Sequence, residues 1–135
     1  MMIEHRWTAV VSLIAVLVYF WMGLQVASAR RKSGIDAPTM TGDPLLERAV
    51  RVQTNTLEWL PIFLVGLWAF AIYWNELVAA GLGVVWIIGR LVYSFGYMSA
   101  ANKRSNGFMI QALAGAVLVF GSLGKIIYGL ATGGV

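Results

Sequence analysis

Four stretches of this chain are long and apolar enough to cross a lipid bilayer as helices. They cover about residues 7–29, 44–74, 77–101 and 107–131, and the second is apolar from Leu57 onward. A helical span needs ~20 predominantly apolar residues to traverse ~30 Å of hydrocarbon. We therefore predict an all-α integral membrane protein, in which residues 1–135 form a single domain, a bundle of four transmembrane helices.

The composition agrees with this class and excludes several kinds of site. With 59% hydrophobic and 12% charged residues, the chain has too little polar surface for a soluble domain. It contains no cysteine, which excludes disulfides, thiolate metal sites and a cysteine nucleophile. His5 is the only histidine, so we predict no metal site. A net charge of +4 fits an anionic ligand or membrane topology better than nucleic acid.

The end of the first span also resembles a signal-peptide cleavage site, because Ala27, Ser28 and Ala29 have the small-residue pattern of such a site. However, the apolar run before them is longer than the ~7–15 residues of a signal peptide's hydrophobic region. We therefore interpret this segment as a retained transmembrane helix.

Lysine and arginine are concentrated in two of the three predicted loops. The second loop holds none, whereas the first and third hold most of them: Arg30, Arg31, Lys32, Arg48 and Arg51, then Lys103 and Arg104. By the positive-inside rule, loops one and three face the cytoplasm and both termini lie outside. The compact chain and its short tails favour a multi-pass protein of a bacterial inner membrane.

Polar side chains interrupt the start of the second span in the segment RVQTNTLEW, residues 51–59. Ionisable residues inside a membrane are costly and are candidates for function. At about 100° per residue, Arg51, Asn55 and Glu58 share one helix face, whereas Gln53 points the other way. A structural ion pair between Arg51 and Glu58 is the alternative explanation.

The third span predicts a second polar stripe. Arg90, Tyr97 and Arg104 lie at i, i+7 and i+14, with Tyr93 flanking them. Guanidinium and phenol groups are hydrogen-bond donors, so an anion site would form if Arg51, Tyr93, Tyr97 and Arg104 face inward near the cytoplasmic side. Packing aromatics and a snorkelling arginine at a helix end are the alternatives.

The third and fourth spans carry small residues that permit close helix approach: Gly81, Gly83, Gly89, Ala112, Ala114, Gly115 and Ala116. In lipid, small residues at an interface let two helix backbones come close together. The ordinary occurrence of glycine and alanine in membrane helices is the alternative explanation at each position.

Three segments resemble one known family. They are QVASARR at the end of the first span, ERAVRVQTNTLEWLPIFLVGLW and GRLVYSFGYMSAANKR. They are similar to the signature of the membrane-associated proteins in eicosanoid and glutathione metabolism (MAPEG). The likeness extends from about residue 10 to the end of the fourth span, and is greatest to the branch of leukotriene-C synthase and microsomal glutathione transferase.

The resemblance implies a homotrimer that binds glutathione as co-substrate, without a metal, between adjacent subunits near the cytoplasmic face. By motif position, glutathione would be held from one subunit by Arg51, Asn55, Glu58, Tyr93 and Tyr97, and from its neighbour by Arg30 and Gln53. Arg104 would meet the glutathione sulfur, and Arg31 would assist the chemistry. Trp59 is a further candidate, at a position where the branch with a specialised lipid substrate commonly has tyrosine.

The expected function is that of a glutathione transferase for detoxification. Glutathione peroxidase activity is a further expected reaction of the same site. Glutathione thiolate would attack a lipophilic electrophile or hydroperoxide that arrives from the bilayer, where lipids are further partners. A non-catalytic lipid-binding scaffold of the same fold is the first alternative. The second is a small cation exporter, for which Glu58 would be the buried proton-coupled carboxylate.

Overall fold

The computed structural model describes residues 4–134, which form four long helices and one short 3-10 turn. The helices are α1 (Arg6–Ser33), α2 (Pro44–Tyr73), α3 (Glu76–Ser99) and α4 (Ser105–Thr132), with the 3-10 turn at Ala101–Lys103. Within residues 4–134 there is no strand, which confirms the all-α prediction. Each helix is long and apolar enough to cross a membrane.

The helices begin and end where the sequence supplies capping groups. The Asp43 carboxylate accepts a hydrogen bond from the backbone N–H of Leu46 at 3.0 Å, and Pro44 occupies the first helical position of α2. Asn75 caps α3 in the same way through Val78, also at 3.0 Å. α2 ends at Tyr73 and α3 begins at Glu76, so the loop between them is very short and the two helices must be antiparallel neighbours.

The start of α1 is capped by a side chain that is distant in the sequence. One carboxylate oxygen of Glu76, at the start of α3, accepts the backbone N–H groups of Trp7 at 3.0 Å and Thr8 at 3.4 Å. These are among the donors that no helix can satisfy by itself, and a negative charge there also favours the helix dipole. Glu76 therefore joins α1 to α3.

We expect Glu76→Ala to lower stability by about 1 kcal/mol, the usual effect of losing a helix cap. Glu76→Gln keeps one acceptor oxygen and should lose less. The measurement is the Tm of the detergent-solubilised protein, followed by loss of helical circular dichroism. Equal Tm values for the wild type and both variants would show that the cap does not stabilise the bundle.

Two tryptophans tie the same end of the bundle with their indole N–H groups. Trp68 donates to the hydroxyl of Ser12 at 2.9 Å and so connects α2 with α1. Trp74 donates to the carbonyl oxygen of Gly121 at 2.8 Å, which connects the end of α2 with α4. Together with Glu76, these contacts link all four helices at one end.

The centre of the bundle is apolar, and α3 is its most buried helix. Half of the apolar window of α3 is buried, against 22% for α1 and 28% for α4. Trp86 of α3 stacks on Phe63 of α2 with ring centroids 4.0 Å apart. Since α1 and α4 are largely exposed and apolar, their outer faces are suited to contact lipid.

Glycines set the distance between α3 and α4. A β carbon at Gly107 would collide with the backbone of Tyr93, and one at Gly89 would lie 2.6 Å from the backbone nitrogen of Gln111. Only glycine fits such an approach. The prediction of close approach on α3 is therefore confirmed at Gly89, and wrong for Gly81, whose added β carbon would meet nothing within 4 Å among the described residues.

Gly107→Ala is expected to destabilise the protein by roughly 1–3 kcal/mol, as overpacking does elsewhere. The new methyl group would push the start of α4 away from Tyr93. Gly124→Ala is the matched control, because a β carbon there meets nothing within 4 Å in the described chain and alanine favours helix. The Tm of both variants tests this, and equal behaviour of the two would contradict it.

Candidate active site

A cleft of about 550 Å³ opens between α2, α3 and the start of α4. It is lined by Arg51, Asn55, Tyr93, Tyr97, Arg104, Ser105, Phe108 and Met109. The first five are residues that the sequence predicted for the site. The structure thus brings together side chains from three separate segments of the chain.

The wall formed by α2 carries the cationic and amide groups expected from helical periodicity. An Arg51 nitrogen lies 3.9 Å from a carboxylate oxygen of Glu58, and the Asn55 amide donates to the same oxygen at 3.5 Å. The ion pair is long and both side chains are about half exposed, at 51% and 54%. Such pairs contribute little stability. Arg51 and Glu58 can therefore exchange each other for ligand groups.

The exposure of Glu58 also bears on the cation exporter. That function needs a buried carboxylate whose proton is exchanged for the cation, whereas the Glu58 side chain is 54% exposed. It also contacts Arg51 at 3.9 Å. The structure therefore favours a ligand-binding role for this group.

The wall formed by α3 is aromatic and is backed by a buried arginine. Tyr93 and Tyr97 lie with ring centroids 5.6 Å apart. Behind them, Arg90 is completely buried and donates to the amide oxygen of Asn55 at 3.0 Å and to the hydroxyl of Thr56 at 2.6 Å. The helical pattern placed Arg90 on the correct face but did not reveal these partners.

Arg104 reaches the cleft by a different route from the one predicted. The spacing from Arg90 to Arg104 was interpreted as one continuous helical stripe, but α3 ends at Ser99 and the 3-10 turn follows. That interpretation was wrong because the chain changes direction before Arg104. The turn instead holds Arg104 at the mouth of the cleft, where it donates to the carbonyl of Ala101 at 2.6 Å and lies 5.8 Å from the Tyr97 ring centroid.

The charges around the cleft suit an anionic ligand. Arg51 and Arg104 line it, Arg90 lies behind it, and Glu58 contacts the wall through Arg51 and Asn55. Guanidinium groups form charge-assisted bonds to carboxylate, phosphate or thiolate. Among residues 4–134, no group of three or more histidine, cysteine, aspartate or glutamate side chains could hold a metal ion. The arrangement can therefore bind and stabilise an organic anion through side-chain donors.

Comparison with known proteins decides the family. The model of the MAPEG family matches residues 8–124, which include all the residues that line the cleft. The chain belongs to the MAPEG family. It is 38% identical to human microsomal glutathione S-transferase 2 over 117 residues, 86% of this chain and 80% of the relative.

Two further relatives cover still more of this MAPEG chain. Rat leukotriene C4 synthase is 37% identical over 126 residues, 93% of this chain and 84% of the relative. An uncharacterized protein of Synechocystis sp. is 44% identical over 127 residues, 94% of this chain and 93% of that protein. The family assignment confirms the resemblance found in the sequence motifs, and with the four apolar helices it makes this a membrane protein.

Five predicted site residues of this MAPEG chain do not line the cleft: Arg30, Arg31, Gln53, Glu58 and Trp59. Arg30 donates to the carbonyl of Thr39 at 2.6 Å in the loop after α1, and Arg31 is exposed at the end of that helix. Gln53 faces α1, where a β carbon added to Gly23 would lie 3.2 Å from its amide nitrogen. Gln53 therefore lies on the α1 side of α2, away from the cleft.

Trp59 connects the cleft to an apolar groove along the MAPEG subunit. Its ring meets Phe108, which lines the cleft, edge to face at 5.5 Å. The groove then continues between α2 and α4 and is lined by Trp59, Ile62, Ala112, Gly115, Ala116, Val119 and Phe120. The sequence did not reveal Phe108 or Met109 as lining residues, since apolar side chains carry no signal within an apolar span.

Proposed function

We propose that this protein is a membrane-bound glutathione transferase that activates glutathione as its thiolate. The observation that carries the proposal is the cleft in which Arg51, Asn55, Tyr93, Tyr97 and Arg104 converge from three segments of the chain. Glutathione carries two carboxylates, an ammonium group and a thiol. The cationic, donor-rich wall and the accessible Glu58 offer a partner for each of these charged groups.

The chemistry depends on Arg104. A thiol with a pKa near ~8.5 is only a few per cent ionised at pH 7, and the thiolate is the nucleophile. Lowering that pKa by ~2 units requires ~2.7 kcal/mol of preference for the charged form. A guanidinium in hydrogen-bond contact supplies a preference of this order, and arginine stays protonated while doing so. Arg104, at the mouth of the cleft, is placed for this role.

The thiolate then attacks an electrophilic carbon and forms a thioether. Either a leaving group departs with its bonding pair, or the pair of the broken π or C–O bond moves to the neighbouring atom, which takes up a proton. With a hydroperoxide, the sulfur instead accepts the terminal oxygen and the organic product leaves as an alcohol. A second glutathione then reduces the oxidised sulfur, giving glutathione disulfide and water. The apolar groove beyond Trp59 favours a lipophilic second substrate that enters from the bilayer.

The complete site is proposed to form between subunits of a homotrimer. Neither Gln53, which packs against α1, nor Arg30, which donates to the carbonyl of Thr39, lines the cleft of the same chain. In a trimer they would reach glutathione bound in the neighbouring cleft, and Arg31 would assist the reaction there. The cleft end carries the positive loops, which orients it to the cytoplasm and both termini outside, in a bacterial inner membrane.

The test is an ultraviolet titration of the purified protein with glutathione at neutral pH, following thiolate absorbance. A saturable signal is expected, and its amplitude gives the number of thiolates formed per trimer. S-methyl glutathione, which binds without an ionisable thiol, is the matched control and should give no signal. The absence of both a thiolate signal and glutathione binding would overturn the proposal and leave the lipid-binding scaffold.

A further inference from the structure

Arg90 is the one arginine of the described residues with a completely buried side chain, at 0% exposure. A buried charge is costly unless hydrogen bonds compensate it. Its terminal nitrogen Nη2 donates to two acceptors on α2, the amide oxygen of Asn55 and the hydroxyl of Thr56. Within residues 4–134 the ion pair at the cleft joins Arg51 and Glu58 and does not include Arg90.

The contact with Arg90 fixes which way the Asn55 amide points. A guanidinium can only donate, so it selects the oxygen of the amide and leaves the nitrogen at the opposite side. That nitrogen faces Glu58, whose carboxylate oxygen lies 3.5 Å away, and Asn55 lines the cleft. Asn55 therefore presents a donor rather than an acceptor to a ligand.

The same guanidinium also supports the opposite wall. It lies 4.2 Å from the ring centroid of Tyr93, which is 2% exposed. Arginine suits this position because its planar group can lie over an aromatic ring while one terminal nitrogen, Nη2, donates to α2. A lysine would supply the charge but not the plane. One buried side chain thus touches two cleft residues that belong to different helices.

We propose that Arg90 is a positioning residue for the reaction proposed above: it holds the Asn55 amide as a donor and seats the Tyr93 ring. The inference rests on the proposed function for its effect on glutathione. It has a separate structural consequence, the orientation of Asn55, that does not require any ligand. Arg90 acts through these two residues and does not line the cleft.

The first test is a double-mutant cycle on glutathione affinity, measured by calorimetry with the protein in lipid nanodiscs. Arg90→Met and Asn55→Ala should each weaken binding by about tenfold, and in combination by much less than the product, because coupled residues are not additive. Arg90→Lys should recover part of the loss. Independent, multiplying losses would overturn positioning through Asn55. If Arg90→Met does not fold, Arg90→Lys replaces it in the cycle.

The second test needs no ligand. With asparagine side chains labelled by ¹⁵N, the chain gives amide signals from Asn55, Asn75, Asn102 and Asn106. Arg90→Met, or Arg90→Lys in its place, should shift or broaden the Asn55 signal and leave that of Asn75, which caps the far end of α3, unchanged. An unmoved Asn55 signal in a folded variant would overturn the inference. If the wild type does not bind glutathione, the proposed function fails, and this signal alone decides the role of Arg90.

Discussion

Arg104→Ala is expected to remove the thiolate absorbance of bound glutathione while glutathione itself remains bound. The guanidinium is proposed to lower the thiol pKa by ~2 units, so its loss should reduce the thiolate fraction at neutral pH from about three quarters to about 3%, and turnover with it by about 25-fold. The other proposed contacts to the tripeptide involve different residues that line the cleft. Calorimetry and stopped-flow absorbance measure binding and thiolate formation separately.

Lys103→Ala is the control for this experiment, because Lys103 is the adjacent cation and does not line the cleft. Its removal changes the local charge by the same amount and should leave the thiolate signal nearly intact. An unchanged rate and signal in Arg104→Ala would exclude Arg104 from thiolate stabilisation. Equal losses in both variants would point to the general positive potential instead.

Arg51→Met is expected to weaken glutathione binding by roughly 10- to 100-fold with little change in stability. A hydrogen bond to a charged group is worth about 1.5–3 kcal/mol, which corresponds to that range. Stability should change little because the ion pair with Glu58 is long and half exposed. Affinity from calorimetry and Tm from thermal unfolding therefore separate a ligand contact from a structural one.

Arg6→Met provides the matched substitution for this second prediction. Arg6 begins α1, at the opposite end of the bundle from the cleft. We expect the Arg6→Met variant to bind glutathione with the same affinity as the wild type. A large drop in Tm with unchanged affinity in Arg51→Met would instead support the structural ion pair as the purpose of Arg51.

Helical periodicity predicted correctly which site residues share one face of a helix. Arg51, Asn55 and Glu58 fall on one face of α2 because the helix continues without interruption through them. Asp43 and Pro44 likewise marked the start of α2 through purely local chemistry. In these cases the deciding forces act within one or two helical turns, so the local sequence contains them.

Helical periodicity could not predict how deeply a side chain is buried or where the chain changes direction. It gives the face on which Arg90 lies, but its burial and its bonds to Asn55 and Thr56 depend on how closely α2 and α3 pack. It also extended α3 to Arg104 across a 3-10 turn. The close approach at Gly107 could be found only from both helices together.

The ties of Glu76, Trp68 and Trp74 all lie at the end of the bundle away from the cleft. The end around the cleft is joined as well, because Arg48 of α2 donates to the carbonyls of Met98 at 3.4 Å and Ser99 at 3.5 Å, and α4 meets the backbone of α3 at Gly107. With both ends held, the helices have little freedom to separate along their length. A bulky molecule from the membrane would therefore have to reach Arg104 between helices that stay in register.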